Sequence, residues 1–226
     1  MANISIILGK TGTGKSTSIK TLNPKETIII GAVNKELPFK GSAKLYNEEN
    51  KNLFYKEDHN EIIALLQSIN THAPHVKNII IDDAIYIMRK EYFKRAKEQG
   101  YGKYTELAQH FQQIINTCEK LRKEINVFFI LHSEDVQSDK ITTTYKVSTI
   151  GSLLESQYNP VEVVPMVLYS SVKFMDDGTS TYGFYTQRCK EGGVEIPAKS
   201  PAEMFDSLFI PNDLQYVVDR MNEYYN

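Results

Sequence analysis

A short apolar run, Ile4-Ser5-Ile6-Ile7-Leu8, leads into the octet Gly9-Lys10-Thr11-Gly12-Thr13-Gly14-Lys15-Ser16. The octet fits G-x-x-x-x-G-K-[ST], and no other stretch restricts the fold as much. Its glycines let successive backbone N–H groups turn inward around an anion. That geometry needs a strand entering the loop and a helix leaving it, because the helix N-terminus adds donors and partial positive charge. Residues 4–9 read as the strand. Gly14 to about Leu22 reads as the helix, stopped by Asn23-Pro24. The anion such a loop holds is the phosphate chain of a nucleotide. Gly9, Lys10, Thr11, Gly12, Thr13, Gly14, Lys15, Ser16 and Thr17 are expected to surround it. Lys15 should reach the β and γ phosphates, and the Ser16 hydroxyl should be a ligand of Mg²⁺.

The remaining pattern predicts an α/β fold. Apolar strands are expected at 27–33, 76–84 and 126–132, with a helix over 60–69 and a loop with one short strand over 34–58. A charged helical stretch follows the third strand, breaks at Gly100-Tyr101-Gly102 and resumes through Glu124. Continuous runs such as Ile79-Ile80-Ile81 suit strands of a parallel sheet buried on both faces. After residue 132 the pattern turns β-rich, at 140–147, 163–174 and 181–188, before a terminal helix capped by Asn212 and running to about Tyr225. The expectation is a P-loop NTPase fold, with a mostly parallel central sheet flanked by helices and extended by C-terminal antiparallel strands. It forms one domain over 1–226, with a nucleotide-binding core at 1–132 and a β-rich extension plus terminal helix at 133–226. The 41% hydrophobic and 24% charged residues suit one such core. Cys118 and Cys189 make neither a disulfide framework nor a zinc cluster. No apolar run nears the ~20 residues of a membrane span, so a soluble, cytoplasmic protein is expected.

A phosphate loop needs a second metal acid. The strand "NIIIDDA" provides it, ending in Asp82-Asp83. Asp82 is assigned with Ser16 to the Mg²⁺ shell. Hydrolysis also needs a group that orients the attacking water. Asp83, directly after the metal acid, and Glu36, just past the second strand, both fit. His132 ends the fourth strand in "FFILHSED", where a polar residue can face the γ-phosphate. "NKEL" (34–37) lacks the aspartate of a guanine motif, and no D-x-x-G follows the third strand. ATP is therefore expected in place of GTP.

Taken together, "GKTGTGKST", "NKELPFKG", "IIIDDA", "FFILHSE" and the closing "IPAKSPAEMFDSLFIPNDLQYVVDRMNEYY" resemble phage-encoded RecA-like P-loop ATPases. The resemblance spans essentially the whole chain. It implies a RecA-like P-loop NTPase sheet, ATP hydrolysis, self-assembly into a homo-oligomeric ring or filament, and action on single-stranded DNA with a phage annealing or single-strand-binding protein. The chain departs from the recombinase in lacking a recognisable pairing loop and a separate DNA-binding domain.

With a net charge of −2, nucleic-acid contact requires a local patch. "RKEYFKRAKEQGYGKY" (89–104) interleaves cations with Tyr92, Phe93, Tyr101 and Tyr104, a recipe for tracking phosphates and stacking bases. "QSDKITTTYK" (137–146) is a second candidate. Arg188 in "TQRCKEGG" is the first choice for an arginine finger reaching a neighbouring subunit, ahead of Lys190 and Lys199. A small-molecule kinase would need an arginine-rich lid, which five scattered arginines do not make. A loader acting as an ATP-controlled interaction module is the other reading.

Overall fold

The computed structural model describes residues 1–137, 143–150 and 158–225, without the side chains of Gln137 and Thr143. Half of the 137–146 stretch considered above for DNA contact, residues 138–142, therefore lies outside the described residues. The strands are β1 (Asn3–Gly9), β2 (Thr27–Gly31), β3 (Leu53–Tyr55), β4 (Asn78–Asp82), β5 (Asn126–Gln137), β6 (Thr143–Val147), β7 (Met166–Phe174), β8 (Ser180–Tyr185), β9 (Cys189–Glu191), β10 (Val194–Ile196) and β11 (Phe209–Pro211). The helices are α1 (Ser42–Leu45), α2 (His59–His72), α3 (Ile85–Lys94), α4 (Gly102–Glu119), α5 (Pro160–Val163) and α6 (Leu214–Tyr225), with a 3₁₀ helix at Ser16–Thr21.

The main path through the sheet is β11-β8-β7-β1-β5-β4-β2-β3. From β7 to β3 every pairing on that path is parallel. β8 and β11 add antiparallel strands at one edge. The far end of β5 leaves the path to pair with β6, which pairs with β10, and β10 pairs with β9.

The aliphatic runs are unbroken because both faces of the sheet are covered. Ile6, Leu8, Ile28, Ile30, Ile79, Ile81, Val127 and Phe129 pack with α2, α3 and α4. Their chain neighbours Ile7, Ile29, Ile80, Phe128 and Ile130 pack on the opposite side with Ile19, Tyr46, Val217 and Met221. The two-residue period of a strand thus sends alternate side chains into two separate apolar layers.

Five sequence expectations are corrected. The fourth strand does not end at His132 but runs on to Gln137, because its later residues pair with β6. The turn after the loop is 3₁₀, not an α-helix through Leu22. Ser18 Oγ donates to the Lys15 carbonyl and Thr21 Oγ1 to that of Ser18, and such hydroxyl bonds to the i−3 carbonyl tighten the backbone. The 34–58 region gains α1 as well as its strand. The stretch expected as an antiparallel strand over 163–174 starts at Met166 and pairs parallel with β1 before its later residues meet β8, so the chain beyond residue 132 supplies a central strand. The cap of α6 is Asp213, whose Oδ1 accepts from the Tyr216 amide at 3.0 Å. Asn212 is held one step earlier, its amide donating to the Tyr182 carbonyl at 3.3 Å.

The β8–β11 edge is closely packed. A methyl group on Gly183 would run into the Ile210 carbonyl and the Phe209 ring. Gly183→Ala is expected to cost about 1–3 kcal/mol, seen as a lower melting temperature in thermal denaturation. An unchanged melting temperature would mean that β11 is loosely docked.

Candidate functional site

β1 ends at Gly9, which pairs in register with His132 of β5. Gly12 and Gly14 have φ of +82° and +89°, which glycine adopts without steric cost. Gly9 is required for a different reason, because a Cβ there would lie 2.7 Å from the Ser170 carbonyl of β7. The loop is also tied from that side. Ser170 Oγ donates to the Thr13 carbonyl (2.7 Å), and Thr13 Oγ1 donates to the Lys10 carbonyl (2.9 Å). Lys15 is buried, and its Nζ donates to the carbonyls of Gly9 (2.8 Å) and Lys10 (2.7 Å). Burial brings its pKa from 10.5 to about 8, against the opposing pull of Asp83 and Asp82. The ammonium thus rests on the loop's own oxygens, which phosphate oxygens can replace.

β4 delivers the acids. Asp82 is buried, and Ser16 Oγ donates to its Oδ1 at 2.8 Å. Burial, and after it the charge of Asp83, pushes the Asp82 carboxyl above its usual range, although Lys35 and Ser16 oppose the shift. A hydroxyl and a carboxylate meeting in a buried spot form a hard-oxygen donor set that suits Mg²⁺. An acid strained upward by burial is one that a cation would relieve.

Asp83 takes φ +53°, left-handed for a non-glycine residue, and lines the cavity above the loop. Conformations of this kind cost of order 1–3 kcal/mol and persist where the surroundings enforce them. Here its Oδ1 lies 3.0 Å from His132 Nε2, and its Oδ2 is ion-paired with Lys35. Burial raises the Asp83 pKa, but the bonds from His132 and Lys35 outweigh it and hold the carboxyl below its usual range. It stays a carboxylate facing the cavity.

The cavity has a volume of about 600 Å³. Thr11, Gly12, Gly14, Lys15, Ser16 and Thr17 line it, as do Asp83 and His132. Lys10 points elsewhere, its Nζ 2.9 Å from Asp135 and over the Tyr145 ring. Gly9 and Thr13 are likewise absent from the lining, and Asp82 sits behind Ser16. Glu36 is exposed and lines a neighbouring cavity of about 370 Å³ with Asn34 and Tyr55. It is therefore not brought to the loop, whereas its neighbour Lys35 is. Arg188 is not among the lining residues either. Its side chain is 74% exposed and paired with Glu195. Lys20 and Tyr182 line the cavity without having been signalled by any motif, and Asn212, expected only as a helix cap, lines it too.

The 89–104 stretch is less cationic than its composition suggests. Lys90 and Lys94 both pair with Glu57 at 2.7 Å. Arg95 is shared by Glu91, Glu98 and Glu106, and Arg89 donates to Ser148 Oγ. Phe93 and Tyr101 remain 73% and 88% exposed. Among the described residues one other group has metal-ligand character, His59, Glu91 and His110. Its carboxylate is already engaged by His110 Nδ1 and Arg95. No helix among the described residues is long and apolar enough to cross a membrane.

A protein-family model described as an AAA domain matches residues 2–192. A search of curated proteins finds none that matches. The family match begins at the strand that enters the loop and continues through both acids and His132 to the end of β9, stopping short of β10, β11 and α6. The chain belongs to this AAA-domain family, and the domain it carries is of the P-loop ATPase type.

Proposed function

We propose that the chain is a RecA-like ATPase that binds and hydrolyses ATP and acts on single-stranded DNA in phage recombination or replication. The observation that carries the hydrolytic part is the carboxylate of Asp83, fixed between His132 and Lys35 at the cavity that Lys15 and Ser16 also line. The loop amides bind the phosphates, and Lys15 exchanges its bonds to Gly9 and Lys10 for the β and γ oxygens. Ser16 and Asp82 would hold Mg²⁺, which when bound neutralises charge on those phosphates. Asp83 accepts a hydrogen bond from the attacking water and aims it at the γ-phosphorus, while His132 keeps the carboxylate turned toward the cavity. Exposed Phe93 and Tyr101 support base stacking on DNA. Arg188, exposed and not part of its own cavity's lining, suits a finger entering the site of the next subunit in a ring or filament.

The internal pairing of the nearby cations favours a second reading for the DNA step. In it, an annealing or single-strand-binding protein brings the DNA and the chain acts as its ATP-controlled loader. Phosphate release from ATP separates these readings. Stimulation by single-stranded DNA alone supports direct action, and stimulation only with the partner supports the loader. Transfer of phosphate to a small acceptor would overturn both. Asp83→Asn is expected to lower kcat about 100-fold or more while changing Mg·ATP affinity little. Unchanged turnover would remove Asp83 from its role.

A pH dependence follows from Lys15. Its folded pKa, about 8, lies below the ordinary 10.5. Between these values the unfolded chain holds more protons than the folded one, so this lysine makes the nucleotide-free protein more stable as pH rises through that window. Triphosphate binding prefers the charged lysine and works the opposite way. Affinity for Mg·ATP is expected to be full below pH about 8 and to fall above it, approaching tenfold per pH unit. Equilibrium titrations from pH 7 to 10 read this, with proton uptake on binding at the alkaline end.

A further inference from the structure

The cavity has two ends, and the reading above uses only one. Asp83 follows β4, which lies two strands from β1 on one side, across β5. Tyr182 belongs to β8, two strands from β1 on the other side, across β7. Asn212 follows β11, the next strand outward. Both side chains line the same cavity as Lys15, Ser16 and Thr17. Both also press on Gly14, since a Cβ there would lie 3.1 Å from Asn212 Nδ2 and 3.1 Å from the Tyr182 ring.

We propose that Tyr182 and Asn212 form the nucleobase seat, with the Tyr182 ring stacking on the base and the Asn212 carboxamide meeting its edge. The inference rests on the reading of the loop as an ATP site. With the γ-phosphate placed at Asp83 and His132, the nucleoside must leave the loop at the opposite end. Three features of the pair suit that role. Tyr182 is 47% exposed, and among the described residues its ring has no aromatic or cationic neighbour. Asn212 Nδ2 is buried against Gly14 and has no hydrogen-bond partner, a costly state that a turn of the carboxamide toward a ligand in the cavity would relieve. The two residues are fixed to each other by the Asn212 amide and the Tyr182 carbonyl.

The chemistry of the carboxamide also favours a base. It offers one donor beside one acceptor, which matches the adjacent N7 acceptor and N6 amino donor of adenine. Guanine presents two acceptors on that edge, N7 and O6, and leaves the carboxamide oxygen facing another oxygen. Adenine is therefore the preferred base. Asn212 lies beyond the residues matched by the AAA-domain family, so this contact is a contribution of the chain's own C-terminal segment. Nucleotide binding would then also fasten β8 and β11 against the loop.

The test is calorimetric titration of the full chain with Mg·ATP, Mg·GTP and magnesium tripolyphosphate. The wild type should bind ATP more tightly than GTP and more tightly than tripolyphosphate. Tyr182→Ala and Asn212→Ala should each weaken ATP about tenfold or more and leave tripolyphosphate unchanged. Tyr182→Phe should keep ATP affinity, and Asn212→Ala should reduce the preference for ATP over GTP. ATP affinity unchanged in both alanine variants would overturn the proposal. So would a parallel loss of ATP and tripolyphosphate, which would make these residues props for the loop. If the wild type binds tripolyphosphate as tightly as ATP, the base seat fails while the phosphate site stands. If it binds none of the three, the ATP reading fails and the seat with it.

Discussion

The hydrogen bond of 2.8 Å from Ser16 Oγ to Asp82 Oδ1 joins the end of the phosphate loop to the end of β4. These two ends are not on neighbouring strands, because β5 runs between β1 and β4. The bond can form because the three strands are parallel and β1 and β4 end at nearly the same level beside β5, which itself runs on to Gln137. The register provides this, pairing Gly9 with His132 and Ile81 with Phe129. Every other part of the site depends on that shared edge. Lys15 folds back onto the loop, Asp83 turns through a left-handed conformation into the cavity, and His132 meets it from the strand between.

The electrostatics follow from burying several charges close together. Lys15, Asp82 and Asp83 are each largely removed from water, and burial is the leading influence on all three. For Lys15 and Asp82 burial prevails, and each is displaced toward its neutral form. For Asp83 it does not, because Lys35 and His132 bond the carboxylate directly. The outcome is a division of labour between adjacent acids. Asp82 is poised to be relieved by a cation, while Asp83 is already stabilised as an anion without one. Removing either partner of Asp83 would leave a buried charge less compensated, a costly change in a protein interior.

Much of this was legible in the sequence, for local reasons. The phosphate loop is a contiguous motif, Asp82-Asp83 ends a continuous aliphatic run, and His132 ends another. What was not legible depends on residues far apart in the chain. β7 reads as part of a β-rich tail because nothing local shows that Met166 to Tyr169 will pair with Ser5 to Leu8. The cations of 89–104 look free until Glu57, from the segment before α2, closes on Lys90 and Lys94. Glu36 and Lys35 are adjacent in an aperiodic stretch, and only the chain's path beyond β2 turns the lysine toward the loop and the glutamate to the next cavity. Asn212 and Asp213 are both good capping residues. The tie of Asn212 to Tyr182 leaves the cap to Asp213.

The central claim is that Ser16 and Asp82 are the metal-holding pair of a nucleotide site, and it is tested most directly by how much Mg²⁺ strengthens ATP binding. Affinity for ATP is measured with Mg²⁺ and with chelator, in the wild type and in Asp82→Asn. The account predicts a clear strengthening by Mg²⁺ in the wild type that largely disappears in Asp82→Asn, while metal-free ATP binding is retained. A variant that kept the full response to Mg²⁺ would contradict it.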